Sequence, residues 1–463
     1  MGTRPEAVSR WTVAWRVIDM AWKAIVYALA VAIGLCEPYD AVAALGPLVI
    51  KLARAATARP DLFLAGFIDV LRPLLQDCVP AEPIADLPGG ATLLASGSVT
   101  QVYACPPLER HKTRVGRDHG SAYASVDTDS DDARNSEINI DDSDEGSDDG
   151  AGVFARRRNL GRHRRPLSAL VVKVRRPTVT TYAAVDRAIL VWFMRTSVGR
   201  ALIGRACRRA LAADAIDYLV AIAGDGLAGD MDLATEASNT ERMRALFAGD
   251  RSETVLVPKT IGALSTPERL FMERIDGVPI ARLSTAAARS AAARLLAVAV
   301  CRMVFEYGLL HGDIHEGNVL CVCDLNPSVS DARVRIALLD VGIVYEIDPD
   351  QRRLIALLIR TAIGVDAPDR LATCIYFGAA RPGRCYAQFR QGIVAAVAAG
   401  RHGSNLGAFL DRLAVACADS GVPMDRDMTS RIAPLAAADS IARTFMAPSL
   451  TVVACGLYGH LLS

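Results

Sequence analysis

The stretch from His311 to Val344 constrains the fold and function of this chain more than any other. It contains HGDIHEGNVL and, after a turn-rich segment, RIALLDVGIV. Phosphoryl transfer uses a carboxylate beside the acceptor hydroxyl, an amide oxygen that binds a metal ion, and a second carboxylate that holds the metal ion against the phosphates. Asp313, Asn318 and Asp340 supply these three groups at suitable spacing. The flanking apolar runs predict a hairpin that brings both metal ligands to one edge of a cleft.

The same stretch permits a different chemistry. His311, Asp313 and His315 at two-residue spacing also fit one face of a strand or part of a metal-hydrolase site. No further His or Cys cluster has ligand spacing, and Cys321 and Cys323 alternate on a predicted strand as small apolar residues. The complete set, D-x4-N followed by an apolar strand and D-x-G, therefore favours phosphoryl transfer.

The composition is that of a globular protein. The chain has 463 residues, of which 51% are apolar, so it is long enough for two or three domains with substantial cores. A net charge of +1 does not indicate a nucleic-acid partner. The 11 cysteines lack paired spacing, which predicts free thiols in an intracellular, reducing compartment.

Changes in composition divide the chain into three predicted domains. Residues 1–85 form a helical extension that ends in a Pro- and Gly-rich linker. Residues 86–275 contain most of the predicted strands, and an acidic and then basic insert at about 110–166 is predicted to be disordered. Residues 276–463 are Ala-rich and helical around a hairpin at 319–340. Strands followed by helices predict an α+β fold of two lobes.

Two uncharged stretches raise the question of a membrane. Residues 24–36, AIVYALAVAIGLC, are too few to span a bilayer and predict a buried or interfacial helix. The tail from Phe445 to Ser463 contains proline, glycine and histidine, so it is weakly apolar for a membrane span. A buried tail is the preferred interpretation, and a membrane-inserted tail is the alternative.

A small-residue loop and a buried lysine predict a nucleotide site. The loop joins two apolar runs, and its short side chains allow backbone N–H groups to approach phosphate oxygens. Lys173 lies in the apolar strand ALVVKVRRP, where a cation needs an anionic partner. Glu236 is the candidate partner, on a helical face with Asp232 and Asn239. An ordinary hairpin turn and an exposed acidic face are the alternatives for these segments. The loop consists of Ala95, Ser96, Gly97 and Ser98.

Several blocks of sequence resemble, in the correct order, the UbiB-like (aarF-domain) atypical kinases, a family associated with coenzyme Q biosynthesis. The resemblance covers about residues 40–450. It rests on LGPLVIKLARAATARPDL, ASGSVTQVY, VVKVRRP, EASNTERM, VLVPKTIGALST, MERIDGVPI, HGDIHEGNVL and LLDVGIV. The resemblance implies a protein-kinase-like two-lobed fold, with the N-terminal helical extension folded over the active site.

The resemblance also implies roles for individual residues, with ATP and Mg²⁺ as cofactors. Lys173 is similar to the phosphate-contacting lysine of the family and Glu236 to its helix partner. Asp313 is similar to the catalytic base, and Asn318 and Asp340 to the two metal ligands.

Four further residues are placed by the same resemblance in motifs that this chain alters. Lys51 and Arg54 stand in KLAR, where the family has Lys-x-Gly-Gln, and Asp230 and Asp232 stand at its ExD positions. The backbone from Glu273 to Ile275 is where the chain would cross between lobes and bind an adenine edge.

The implied activity is ATP hydrolysis or phosphorylation of a lipid-like small molecule, with peripheral association with a membrane. Two alternatives stay open. HGDIHEGNVL also looks like the catalytic loop of choline-kinase or aminoglycoside-kinase phosphotransferases, and the altered KLAR motif suits a non-catalytic ATP-binding scaffold.

Overall fold

The computed structural model describes residues 10–57, 59, 61–71, 81–106, 169–207, 211–226, 231–249, 253–323, 334–379, 385–399 and 405–462. The described parts of Met1–Pro106 and Leu170–Ser463 form one compact unit. The whole insert predicted at about 110–166 lies outside the described residues, as does Asp230. The predicted domain boundaries stay predictions.

Four helices open the described chain. Gly34 and Gly46 adopt positive φ after the first and second helices, a backbone conformation that suits glycine and ends a helix. In the third helix, Leu48, Leu52 and Ala56 recur at four-residue spacing on one buried face. The four helices are α1 (Arg10–Ala32), α2 (Pro38–Ala44), α3 (Pro47–Thr57) and α4 (Ala65–Leu71).

The buried face of α3 packs into a helical layer formed by a later part of the chain. One hydrophobic cluster joins side chains of α3 and α4 to side chains of three helices that follow the first sheet. These are α5 (Pro177–Arg195), α6 (Ser197–Ala206) and α7 (Ala212–Ala221). The N-terminal extension therefore shares its core with this layer.

A four-stranded antiparallel sheet carries the predicted lysine. Its order is β1-β2-β3-β5, and β3 is buried at all positions except its last. The strands are β1 (Thr92–Ser96), β2 (Thr100–Cys105), β3 (Leu170–Arg175) and β5 (Arg269–Glu273). Helix α8 (Leu233–Ala248) packs beside β5.

A second sheet, of order β4-β9-β8-β6, carries the predicted hairpin. Its strands are β4 (Val255–Leu256), β6 (Val278–Pro279), β8 (Val319–Cys323) and β9 (Val334–Leu338). Strand β4 pairs with β9 in parallel, whereas β5 pairs with β3 in the first sheet. Strands β7 (Leu309–His311) and β10 (Val344–Glu346) form a separate antiparallel pair.

Seven helices build most of the second lobe. They are α9 (Ala286–Arg302), α10 (Pro349–Ala362), α11 (Pro368–Gly378), α12 (Tyr386–Ala398), α13 (Leu406–Asp419), α14 (Arg426–Thr444) and α15 (Leu450–Leu462). The uncharged tail belongs to this core, since Leu450, Val453 and Ala454 are buried in its hydrophobic cluster. None of the described helices is both long and apolar enough to cross a membrane. The described residues have the predicted α+β architecture with N-terminal helices.

Candidate active site

One cation and two carboxylates from three distant elements meet at the centre of the site. Lys173, on the central strand β3, donates from Nζ to Glu236 Oε1 and Oε2 at 2.8 and 2.9 Å and to Asp340 Oδ1 at 2.6 Å. Lys173 and Glu236 are only 6% and 5% exposed. Sequence analysis predicted the Lys173–Glu236 pair, and the structure brings these two residues together.

Mutual attraction keeps Lys173 and Asp340 charged in this largely buried site. Burial alone would lower the pKa of Lys173, but the attraction of Asp340 and Glu236 outweighs it and raises that pKa. Burial would raise the pKa of Asp340, but Lys173 outweighs it and lowers that pKa. The three side chains carry a net charge of −1, so a further cation is electrostatically favoured beside them.

The backbone conformation after β9 directs the Asp340 side chain toward Lys173 and Glu236. Asp340 has φ +56°, a left-handed conformation that aspartate tolerates better than most residues. A Cβ added at Gly342 would lie 3.5 Å from both Asp340 Oδ1 and Glu236 Oε2. Glycine therefore leaves the space beside the two carboxylates open. Asn239 Nδ2 donates to the Gly342 carbonyl at 3.3 Å, which ties this turn to α8.

Helix α8 is fixed so that Glu236 faces the cluster. Asp232 is its N-cap, with Oδ1 accepting from the Ala234 amide at 3.0 Å and Oδ2 from the Thr235 hydroxyl at 2.9 Å. The expectation that Asp232 lies on one helical face with Glu236 is therefore corrected, because Asp232 precedes the helix and caps its first amides. Asp230 lies outside the described residues.

A buried histidine joins the catalytic loop to the strand that precedes Asp340. His311 is fully buried; its Nδ1 accepts from the Asp313 amide at 3.1 Å and its Nε2 lies 2.9 Å from the Leu339 carbonyl. Because Nδ1 accepts, Nε2 carries the proton and donates to Leu339. Burial lowers the pKa of His311, which keeps the ring neutral. The sequence pattern placed His311 on one face of a strand or in a metal site, and it did not indicate this bridging position.

Asp313 and Asn318 are held together by the same loop. Asn318 Nδ2 donates to the Asp313 carbonyl at 3.0 Å, and the Asn318 carbonyl accepts from the Leu339 amide at 2.8 Å. Asn318 therefore lies beside the residue that precedes Asp340, and its role as a metal ligand stays a prediction. The Asp313 side chain is 53% exposed, where it can reach an acceptor hydroxyl.

The donor set near Asp340 suits Mg²⁺ with a nucleotide rather than a protein-only metal site. Mg²⁺ commonly binds through one or two protein oxygens together with phosphate oxygens. Asp340 and Asn318 supply such oxygens, next to an excess of negative charge. Within the described residues, no group of three or more His, Cys, Asp or Glu side chains is arranged to hold a metal ion.

The small-residue loop between β1 and β2 is fixed from behind by a buried arginine. The Gly97 amide donates to the Thr100 carbonyl at 2.9 Å, which closes the turn. Arg176, 1% exposed, donates to the Gly97 carbonyl at 2.7 Å and to Ser96 Oγ at 2.6 Å. Its Nη1 also donates to Glu82 Oε1 at 3.0 Å. Ala95 and Ser98 lie at either end of the same turn, and sequence analysis did not identify Arg176.

The predicted adenine-binding segment begins at the end of β5. The Glu273 amide donates to the Lys259 carbonyl at 2.8 Å, so this amide is already engaged. We therefore predict that the Glu273 carbonyl and the backbone of Ile275, but not the Glu273 amide, bind the adenine edge.

The altered N-terminal motif lies on a helix that shares a hydrophobic cluster with the residue after the small-residue loop. Lys51 and Arg54 are half-buried on α3. Val99, directly after the loop, belongs to the same hydrophobic cluster as Leu52 and Ala53 of α3. The helical extension and the end of the loop therefore belong to one core.

The lysine–glutamate pair, the Asp-x4-Asn loop and the Asp-x-Gly turn define a kinase-like site. Comparison with known proteins then identifies the type: residues 164–371 match the family model described as the ABC1 atypical kinase-like domain. Over these residues the chain is similar to an ABC1 atypical kinase-like domain, which confirms the predicted resemblance to UbiB-like atypical kinases and the predicted kinase-like fold.

Individual relatives and solved structures show how far the similarity extends. The chain is 30% identical over 288 residues to the "Probable protein kinase UbiB" of Pseudomonas putida (strain W619), covering 59% of this chain and 42% of that relative. It thus spans less than half of that relative's length. Among solved structures, it aligns with a complex of Rv3197 and erythromycin from Mycobacterium tuberculosis, with 17% identity, a TM-score of 0.40, and coverage of 63% of this chain and 71% of the other.

Proposed function

We propose that this protein is an ATP-dependent phosphotransferase or ATPase whose acceptor is a lipid-like small molecule near a membrane. The observation that carries the proposal is the buried Lys173–Glu236 pair in contact with Asp340. In kinases this pair positions the nucleotide phosphates, and the structure brings the same two side chains together beside Asp340. The match to a kinase-like domain supports the class of reaction.

Each residue of the site has a role in this reaction. Lys173 binds the phosphates, and Glu236 holds its ammonium group in place. Asp340 and Asn318 would hold Mg²⁺, which when bound supplies charge stabilisation for the transferred phosphoryl group. Asp313 accepts the proton of the acceptor hydroxyl, or of water in hydrolysis, because its exposed carboxylate lies in the loop that holds Asn318.

The acceptor and the location are the finer parts of the proposal. A lipid-like acceptor is what the resemblance to UbiB-like atypical kinases, a family associated with coenzyme Q biosynthesis, implies, and relatives at about 30% identity carry the name UbiB. A reducing compartment is supported by the cysteines of the described residues that are free thiols, among them buried Cys207, Cys301 and Cys417.

The proposal is tested with purified full-length protein and Mg-ATP. ADP release and transfer of labelled phosphate are measured with a panel of lipid acceptors and a panel of polar acceptors such as amino alcohols and aminoglycosides. Turnover stimulated by lipids supports the proposal, whereas transfer to polar acceptors alone contradicts the lipid-like acceptor. Tight ATP binding without ADP release under any condition contradicts the enzymatic activity and favours a scaffold, for which the altered Arg54 position is the specific observation.

A further inference from the structure

Arg16 of helix α1 faces the protein body, with Asp19 and Lys23 partly exposed beside it. Arg16 donates to Asp186 of α5 through Nε and Nη2 at 2.7 and 2.8 Å, and its guanidinium lies 5.0 Å from the centre of the Tyr182 ring. Asp19 accepts from Arg16 and from Lys23, both at 2.9 Å. The bidentate pair with Asp186, which is 4% exposed, fixes the rotation of α1 about its axis.

The outward face of α1 is entirely apolar. Between residues 11 and 32, every residue that is exposed is alanine, valine, isoleucine, leucine or tryptophan. At about 100° per residue, these exposed positions cover an arc of about 220°. The apolar face of α1 therefore points to solvent and Arg16 points to the protein, the reverse of an ordinary amphipathic surface helix. Its largest outward side chains, each between 56% and 77% exposed, are Trp11, Trp15, Ile18, Trp22, Ile25 and Leu29.

Helices α5 and α6 also carry exposed apolar side chains. Trp192 on α5 is 67% exposed, and Val198 and Leu202 on α6 are 64% and 50% exposed. The four tryptophans of the chain are thus all exposed on α1 or on α5, the helix to which α1 is hydrogen-bonded. Isolated exposed apolar residues are ordinary, but an apolar face that extends along a whole helix, like that of α1, marks an interaction site.

We propose that α1 lies on a lipid bilayer, with its axis parallel to the surface and its outward face among the acyl chains. A second helix in a coiled coil would cover only a narrow seam of two positions in seven and would leave most of the 220° arc in water. A lipid surface covers the whole arc. Tryptophan is enriched at membrane interfaces, and interfacial helices place their apolar side chains at the boundary of the acyl chains. This proposal does not depend on phosphoryl transfer.

The test uses the purified full-length protein and vesicles of phosphatidylcholine and phosphatidylglycerol. Flotation measures the bound fraction, and tryptophan emission reports the environment of the proposed contact. The wild type is expected to float with the vesicles and to shift its emission to shorter wavelength. Trp15→Glu/Trp22→Glu is expected to lower the vesicle partition coefficient about tenfold or more, because two large apolar contacts become charged.

A matched control places two glutamates elsewhere. Val365 and Phe377, 61% and 71% exposed on the second lobe, are replaced in Val365→Glu/Phe377→Glu, which should bind vesicles like the wild type. Thermal unfolding and ATP titration of both variants establish that they are folded. Equal vesicle binding by the wild type and Trp15→Glu/Trp22→Glu would overturn the proposal. The proposal would also be overturned if the wild type formed a dimer without lipid and Trp15→Glu/Trp22→Glu, but not the control variant, were monomeric. An emission maximum that is already blue-shifted in the free wild type and unchanged by vesicles would overturn it as well.

Discussion

Replacing Lys173 by methionine tests whether this one cation holds the site together. Lys173→Met keeps the length and the apolar stem of the side chain but removes an ammonium group bonded to three carboxylate oxygens at 2.6 to 2.9 Å. Glu236 then stays buried without its partner. Removing one member of a buried ion pair costs about 3 to 5 kcal/mol of unfolding free energy. The Asp340 side chain is 44% exposed and partly screened by water, so we expect the lower end, about 3 kcal/mol.

This loss should depend on pH in a defined direction. Lys173 lowers the folded-state pKa of Asp340, so Asp340 contributes stability above its unfolded pKa of about 3.9 and loses it as the pH falls through the lower folded value. The methionine variant lacks that contribution. The difference in unfolding free energy between the wild type and Lys173→Met is therefore expected to be greatest at neutral pH and to shrink below about pH 4.

Urea unfolding of the two proteins at pH 7 and at pH 3.5 measures this difference. Lys173→Met/Glu236→Gln should recover part of the lost stability, because it removes the uncompensated charge. Lys23→Met is the matched control; Lys23 and its partner Asp19 are 37% and 40% exposed, and we expect a change below about 1 kcal/mol. A Lys173→Met protein as stable as the wild type at pH 7, or a difference that grows toward acid pH, would refute the reasoning.

Three further substitutions address the loop, the helical extension and the altered motif. Arg176→Lys removes the paired guanidinium contacts with Gly97 and Ser96, so the KM for ATP should rise about tenfold with a smaller change in kcat. An unchanged KM in ADP-release assays would contradict a role of Arg176 in holding this loop. Asp61→Asn leaves Arg59, which is 4% exposed, without its carboxylate partner, so the unfolding free energy measured in urea should fall by about 3 kcal/mol or more. As a control, Asp350→Asn removes the carboxylate of an exposed ion pair, and the unfolding free energy should fall by less than about 0.5 kcal/mol. Arg54→Gln should weaken ATP binding about tenfold, with a larger effect at low salt. Equal ATP affinities of the wild type and Arg54→Gln in low-salt titrations would show that Arg54 does not contribute to the nucleotide site.

The parts of the site that lie within short motifs could be predicted from the sequence. Asp313 and Asn318 share one loop, and Asp340 follows an apolar run, so local spacing was sufficient to identify them. Lys173 and Glu236 are 63 residues apart, and their pairing was predicted because a buried cation requires an anion and because the blocks resemble a known family.

The missed features depend on contacts that no local pattern encodes. Arg176 meets Ser96 and Gly97 across about 80 residues, and an arginine at the end of a strand gives no sign of which loop it will support. Likewise, the sequence of α1 indicates an amphipathic helix but not which face packs inward. That orientation is decided by the distant Asp186, which binds Arg16 and turns the charged side toward the protein.

The division of labour between Asp313 and Asp340 offers the most direct measurement of the proposed chemistry. Mg-ATP affinity by calorimetry and ADP release are compared for the wild type, Asp313→Asn and Asp340→Asn. Asp313→Asn should bind Mg-ATP with little change while its turnover falls about 10²- to 10⁴-fold, because a general base acts in the transition state. Asp340→Asn should lose Mg²⁺-dependent binding itself. Loss of binding in Asp313→Asn together with normal turnover in Asp340→Asn would contradict the assignment of catalytic base and metal ligand.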